Sequence, residues 1–237
     1  MKLLAIDTAT ELCSAALWLD GLSGVREAQR GRGHAELILP MIDELLKEAG
    51  IGLRELDVIA FGRGPGAFTG VRLAVSLAQG LAWSVGLPLV PVSTLRAVAA
   101  RILQRPEAPA RALICMDARM HEVYLGCFER RGHAICALGG ESVASPSSIR
   151  LPADWSGATV CGAGSGFAVY AAELSLSLPG LEPIDRQALP HAADIAALAD
   201  ADGLAGAIRA EDAQPVYLRD DVARLPAAVA SSMQSSN

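Results

Sequence analysis

Lysine is almost missing from this 237-residue chain: Lys2 and Lys47 stand alone among 20 basic residues. Neither follows a glycine-rich loop. A Walker A phosphate loop, which needs a lysine on the outer phosphates, is thereby excluded. Aromatic residues make up only 4% of the chain and are scattered, which argues against a base-stacking binder of single strands. The five cysteines (Cys13, Cys115, Cys127, Cys136, Cys161) form no Cys-x-x-Cys pair. Their odd number and apolar surroundings predict buried cytosolic thiols, not a disulfide framework. No two of His34, His121, His133 and His191 lie three to five residues apart, so no local zinc-type pair exists. A Gly-x-Ser-x-Gly elbow is also lacking.

Uninterrupted apolar runs are missing too. The longest candidate, Gly80 to Val92, is cut by Pro88 and Pro91 and is too short to span a bilayer. The opening apolar stretch is broken by Asp7, too early for a signal peptide. The expectation is a soluble, cytoplasmic protein with no membrane partner. Acidic residues are absent from Leu73 to Pro106. The motif Gly62-x-Gly64-x-x-Ala67 therefore lacks the acid that a dinucleotide fold sets on the ribose about 20 residues on. Charge is uneven. Residues 1–132 hold 15 basic and 14 acidic groups, whereas 133–237 hold 5 and 12. The acidic C-terminal part should repel nucleic acid.

What is present begins with Phe61-Gly62-Arg63-Gly64-Pro65-Gly66-Ala67-Phe68-Thr69-Gly70-Val71-Arg72. An apolar strand, Leu56 to Phe61, runs into a glycine-rich turn and then a helix. Gly62, Gly64 and Gly66 would permit positive φ and close backbone approach. Thr69 would accept a helix N-terminal N–H. Such a loop suits an anion such as phosphate; the structural alternative is a tight turn that binds nothing.

The pattern near the start recurs. Leu3-Leu4-Ala5-Ile6-Asp7-Thr8 is an apolar strand ending in Asp, and Ala112-Leu113-Ile114-Cys115-Met116-Asp117-Ala118 repeats it. Second strands follow at Cys13–Leu19 and Val123–Phe128, and third strands at Val25–Arg30 and Ala134–Val143. Pro106-Glu107-Ala108-Pro109 separates the copies. This predicts a duplicated α/β unit: an N-terminal lobe over 1–106, a C-terminal lobe over 110–225 and a disordered tail over 226–237. Asp7 and Asp117 would face the junction of the halves, able to position Mg²⁺ or water around a phosphate. Capping of a strand-end turn is the alternative use.

Helices are expected over Glu36–Ala49, which Pro40 either kinks or starts, and over Gly70–Val85. His34 and Glu36 cap the first of these. In the second, Gly70, Ala74, Ala78 and Ala82 recur every four residues as a small-residue ridge. Packing against the sheet is one use of that ridge, and a partner chain is the other. Further on, Ala158–Cys161 and Gly162-Ala163-Gly164-Ser165-Gly166 form a second strand and glycine loop, with a helix through about Ser177. Pro190-His191 opens another helix, to about Ala201.

Four stretches resemble one family in order: Asp7-Thr8-Ala9-Thr10 with Cys13–Leu17, Gly64–Arg72, Asp117-Ala118-Arg119 with Glu122-Val123-Tyr124, and Pro215-Val216-Tyr217-Leu218-Arg219. The chain is similar to the TsaB (YeaZ) family of bacterial tRNA threonylcarbamoyladenosine synthesis proteins over about residues 2–220. The resemblance implies an actin-like, sugar-kinase/Hsp70 (ASKHA) fold. It implies a non-catalytic subunit that binds a TsaD-type catalytic subunit, works with a TsaE-type ATPase and meets tRNA indirectly.

It further implies a partner surface on the two N-terminal helices, with Leu37, Met41, Leu45, Gly70, Ala74, Leu77, Ala78, Leu81 and Ala82 as its residues, or a homodimer through the same face. It implies no catalytic residues, no metal and no tightly bound cofactor. ATP or ADP with Mg²⁺ would be held only in the assembled complex, near Asp7, Thr8, Gly64, Gly66, Thr69, Gly70 and Asp117. Where TsaD-type proteins carry metal-binding histidines, this chain has Ser93–Val98 and the lone His34. Ala67 replaces the family's usual Ser, and Met120-His121 its usual Arg-Gly-like pair. A stand-alone actin-fold ATPase or kinase and a metallopeptidase are the alternatives.

Overall fold

The computed structural model describes residues 1–219. The expectation of a disordered tail over 226–237 lies outside them. Two mixed sheets carry the fold. The first has strands β1 (Lys2–Asp7), β2 (Leu12–Leu19), β3 (Leu22–Gln29), β4 (Val58–Gly62) and β5 (Leu89–Val92). The second has β6 (Arg111–Asp117), β7 (Val123–Arg131), β8 (Ala134–Ala137), β9 (Ser142–Ala144), β10 (Val160–Ala163) and β11 (Pro183–Asp185). Their orders are β3-β2-β1-β4-β5 and β8-β7-β6-β10-β11, with the added β9 on β7. In each, the first three strands run antiparallel and the fourth and fifth join parallel. The expected duplication is therefore real at the level of topology. The third strand of the second copy is shorter than expected, because Gly139 takes a left-handed φ of 83° and the chain breaks into β8 and β9.

Helices fill three layers around the sheets: α1 (His34–Ala49), α2 (Phe68–Val85), α3 (Thr94–Leu103), α4 (Gly166–Val169), α5 (Ala171–Ser177) and α6 (Ala192–Asp202). The outer face of the first sheet buries Leu4, Ile6, Leu17, Ile59 and Phe61 against α1 and α2. Its inner face shares one core with α3, α6 and Ile114, Met116 and Phe128 of the second sheet. The far face of the second sheet is covered by α4 and α5 through Phe167, Tyr170 and Leu174. Layers thus stack helix, sheet, helix, sheet, helix. The helix expected to run through Ser177 is broken at Tyr170 (φ −117°, ψ 39°) into α4 and α5. Pro40 stays inside α1, on its exposed side, where its missing N–H faces water.

The lobes are tied by polar groups as well as by the shared core. His191 caps α6: its Nδ1 accepts from Ala193 N at 3.0 Å, which leaves Nε2 to donate to Glu27 on β3 at 2.6 Å. Ser14 Oγ on β2 accepts from Ala192 N at 3.0 Å. Ser93 caps α3, accepting from Arg96 N at 3.1 Å while donating to Glu141 of the second lobe. Arg96 on α3 reaches Ile135 O at 2.8 Å and pairs with Asp202. So α6, though late in sequence, belongs to the layer between the sheets and not to one lobe alone.

Replacing His191 by Ala removes a helix cap and a tie between lobes. The expected loss is about 1–2 kcal/mol of unfolding free energy, read by urea denaturation at pH 7.

Candidate functional site

The carboxyl ends of the central strands of both lobes open on one cleft of about 810 Å³. Its walls come from the β1–β2 turn (Thr8 to Glu11), the start of α1, the start of α2, the β6–β7 turn (Asp117 to Arg119) and Val216 to Arg219. The sequence motifs that recur between the copies therefore do converge, but the side chains are used differently from the expectation.

Glycines make the convergence possible by close approach. A Cβ on Gly70 would sit 2.0 Å from Thr8 O, and one on Gly66 would sit 2.5 Å from Ala9 O. Of the three loop glycines, only Gly64 has a left-handed φ (96°); at Gly62 and Gly66 the requirement is space, which corrects the expectation of positive φ there. The loop's polar groups are spent inside the fold. Ala67 N donates to Ala9 O at 2.7 Å, Thr94 N to Gly64 O at 3.1 Å, and Thr8 Oγ1 to Gly70 O at 2.7 Å. The cap position of α2 is Ala67, and Thr69 is the exposed second residue of the helix, not its cap. The first-turn amides of α2 carry no side-chain cap and border the cleft.

Asp7 does not line the cleft. It is fully buried, with Oδ1 accepting from Ala9 N at 3.0 Å and Oδ2 without a hydrogen-bond partner. A Cβ at Gly62 would lie 1.9 Å from that Oδ2, so the carboxyl is walled in by the β4 backbone. Burial pushes its pKa up to about 7, only partly opposed by the Ala9 amide. The expected facing of Asp7 toward the lobe junction is thus corrected: no ion or phosphate reaches it without moving β4.

Asp117 does reach the cleft wall, but its oxygens are engaged. Oδ1 accepts from Arg119 N at 2.8 Å and from Tyr170 Oη at 3.1 Å, and Oδ2 pairs with Arg119 Nη1 at 3.1 Å. Of the set expected near a nucleotide and Mg²⁺, Thr8, Gly66, Thr69, Gly70 and Asp117 line the cleft, whereas Asp7 is buried behind it and Asp117 is paired with Arg119. Among the described residues no three His, Cys, Asp or Glu side chains are grouped to hold a metal ion.

The expected partner residues are also placed differently. Gly70, Ala74, Ala78 and Ala82 face the protein's own sheet and are buried, as are Met41 and Leu45 of α1. Leu37, Leu77 and Leu81 are half-buried at the edge of that core. The ridge is used for internal packing, because the close contact of α2 with the β1–β2 turn turns that face inward. The outer face of α2 carries Phe68 (44% exposed), Arg72, Ser76, Gly80 and Trp83 (69% exposed), bordered by Leu73, Leu77 and Leu81. Gly80 was passed over in the sequence. Its signal is an isolated glycine in a helical pattern, which needs a reason of its own. Among the described residues nothing lies within 4 Å of a Cβ built there.

Also unforeseen is the role of residues 213–219. Gln79 Nε2 donates to Ala213 O at 3.0 Å, and Val216 N to Arg63 O at 2.8 Å. Arg72 Nε donates to Tyr217 Oη at 2.6 Å, and Arg219 pairs with Glu122. The segment crosses from α2 to the second lobe.

These features define a class: a duplicated two-lobe protein of the actin-like type whose interlobe cleft keeps the strand-end turns but encloses or pairs their carboxylates. The family model for TsaD, tRNA N6-adenosine threonylcarbamoyltransferase, matches residues 21–224. The tRNA threonylcarbamoyladenosine biosynthesis protein TsaB of Escherichia coli (strain K12) is 38% identical over 94% of this chain and 96% of its own length. That of Haemophilus influenzae is 37% identical over 94% and 95%. The solved structure of YeaZ from Pseudomonas aeruginosa is 41% identical and superposes with a TM-score of 0.81, covering 92% of this chain and 99% of that one. The chain belongs to the TsaB (YeaZ) family. No helix among the described residues is long and apolar enough to cross a membrane.

Two outcomes follow for the site. A carboxyl whose pKa rises from 3.8 to about 7 on folding binds its proton more tightly in the folded state. Stability is then highest below about pH 4 for this group, falls as pH rises toward 7, and is flat above. The unfolding free energy of Asp7→Asn, measured against wild type in buffers from pH 5 to 9, should therefore gain a few kcal/mol on the wild type by pH 8 and no more beyond. Gly70→Ala should lose at least about 3 kcal/mol in urea denaturation, because its Cβ displaces backbone.

Proposed function

We propose that this chain is the non-catalytic scaffold and activator subunit of the complex that transfers threonylcarbamoyl to N6 of the tRNA adenosine beside the anticodon. The partner it docks on is a TsaD-type catalytic subunit, with a TsaE-type ATPase joining the assembly and tRNA contacted through those partners. Family membership supports the pathway. The non-catalytic part rests on the cleft: Asp7 is enclosed and Asp117 is held by Arg119 and Tyr170. ATP or ADP with Mg²⁺ belongs in this reading to the assembled complex.

The observation that carries the docking surface is Gly80. A glycine in the interior of an exposed helix costs roughly 0.5–1 kcal/mol relative to alanine. No neighbour among the described residues requires it. On the same face lie Leu73, Leu77 and Leu81, half-buried, and Trp83, exposed. A bare backbone flanked by leucines lets a partner helix cross closely. Leu39 on α1, 49% exposed, extends the apolar area. A second copy of this chain would use the same face in the absence of the catalytic subunit.

The test is co-purification of the full chain with a TsaD-type protein, with and without ATP. Gly80→Trp should abolish the complex and leave the unfolding midpoint of the isolated chain within a few degrees of wild type. Gly80→Ala should raise the stability of the isolated chain by about 0.5–1 kcal/mol while weakening the complex. A complex that survives Gly80→Trp would place the interface elsewhere, and failure of the wild type to associate under either condition would sink the scaffold reading. ATP turnover by the isolated chain, abolished by Asp117→Ala, would favour a stand-alone ATPase instead.

A further inference from the structure

The β6–β7 turn holds three successive non-glycine residues in the left-handed region: Arg119 at φ 61°, Met120 at 53° and His121 at 62°. Each is strained relative to a right-handed conformation. The turn's own bonds are few. Ala118 N donates to Glu122 O at 2.9 Å, Glu122 N to Arg119 O at 3.1 Å, and Arg119 N to Asp117 Oδ1 at 2.8 Å. Met120 and Arg119 are exposed, so burial of their side chains supplies little.

His121 lies edge-on to the Tyr170 ring at 5.2 Å with its Nε2 3.5 Å from Glu173, and a further hold comes from a residue about a hundred positions away. The Arg219 guanidinium, 17% exposed, enters the concave side of the turn. It donates to Ala118 O at 3.2 Å and ion-pairs with Glu122, with Met120 Sδ 3.4 Å from Nη1. Both oxygen acceptors are reached from the same Nη2, while Nη1 faces the Met120 sulfur. The rest of the segment is pinned on the first lobe. Val216 N donates to Arg63 O, and Gly64 leaves the space in which Val216 O lies 3.0 Å from the position of a Cβ. The Tyr217 ring lies 5.6 Å from that of Phe68, whose face carries the Arg72 guanidinium at 3.6 Å.

We propose that residues 213–219 are a latch: anchored on α2, they hold the 118–122 turn in its left-handed run through Arg219 and so fix the mouth of the cleft. The latch links α2 to the cleft wall that the β6–β7 turn contributes. Without Arg219 the turn would relax from its left-handed run and its amides would open to water.

Hydrogen–deuterium exchange on the full chain tests this in isolation, apart from any partner. In Arg219→Ala the amides of 118–122 should exchange at least tenfold faster than in wild type, with β1 and β6 unchanged. Arg209→Ala, at an exposed site whose guanidinium pairs with Glu211, is the control and should leave the turn as it is. Should Arg219→Ala fail to fold, Glu122→Gln removes the ion pair and reads the same amides, with the same direction expected. Exchange at 118–122 within twofold of wild type in the folded variant overturns the latch.

Discussion

The contact on which the rest of this structure depends is one of backbone with backbone. The start of α2 lies directly on the β1–β2 turn, with Gly66 against Ala9 O and Gly70 against Thr8 O. At those distances no side chain fits at either glycine. The approach is then fastened by Ala67 N on Ala9 O and by the Thr8 hydroxyl on Gly70 O. It fixes which face of α2 meets the sheet, because the next residues one turn apart, Ala74, Ala78 and Ala82, must follow Gly70 inward. The second lobe repeats the device: a Cβ at Gly164 would lie 2.3 Å from Cys115 O.

The same contact decides what the cleft can do. Groups that would otherwise meet a ligand are used to hold the fold together. The Thr8 hydroxyl and the Ala67 amide bond inward, and β4 at Gly62 seals Asp7 behind the turn. A carboxyl enclosed without a second partner is driven toward its neutral form, which cannot anchor a cation. Asp117 is instead paired with Arg119, and a paired carboxylate has little left to offer a metal. The cleft thus keeps the outline of a ligand site while the two strand-end carboxylates serve the protein itself.

Much of this was legible in the sequence, and the reasons for the rest are physical. The duplication could be read because an apolar strand ending in Asp is a local pattern, at residue 7 and again at 117, and each was followed by further strand patterns. The strand–loop–helix at 58–85 was equally local. The inward face of α2 was not legible. Gly70, Ala74, Ala78 and Ala82 are flanked by Leu73, Leu77 and Leu81, so both sides of the helix read as apolar and periodicity does not choose between them. The choice is made by the Gly70–Thr8 contact, between residues 62 positions apart. The enclosure of Asp7 depends likewise on β4 lying beside β1. Residues 213–219 carried no helical or strand period, and their partners lie up to 145 positions away.

Once the small-residue face of α2 is committed inward, the outer face acquires its meaning by contrast. Inside, each small residue has a neighbour that excludes anything larger. Outside, Gly80 has none among the described residues, although alanine there would favour the helix. Trp83 stands exposed one turn further on, where burial within this chain would have been worth a few kcal/mol. A helix that gives up both propensity and burial on one face is stable here because its other face, the Gly70–Thr8 contact and the tie from Arg72 to Tyr217 already hold it. Internal packing thereby frees the outer face from any duty in folding, and its sequence can answer to a partner alone.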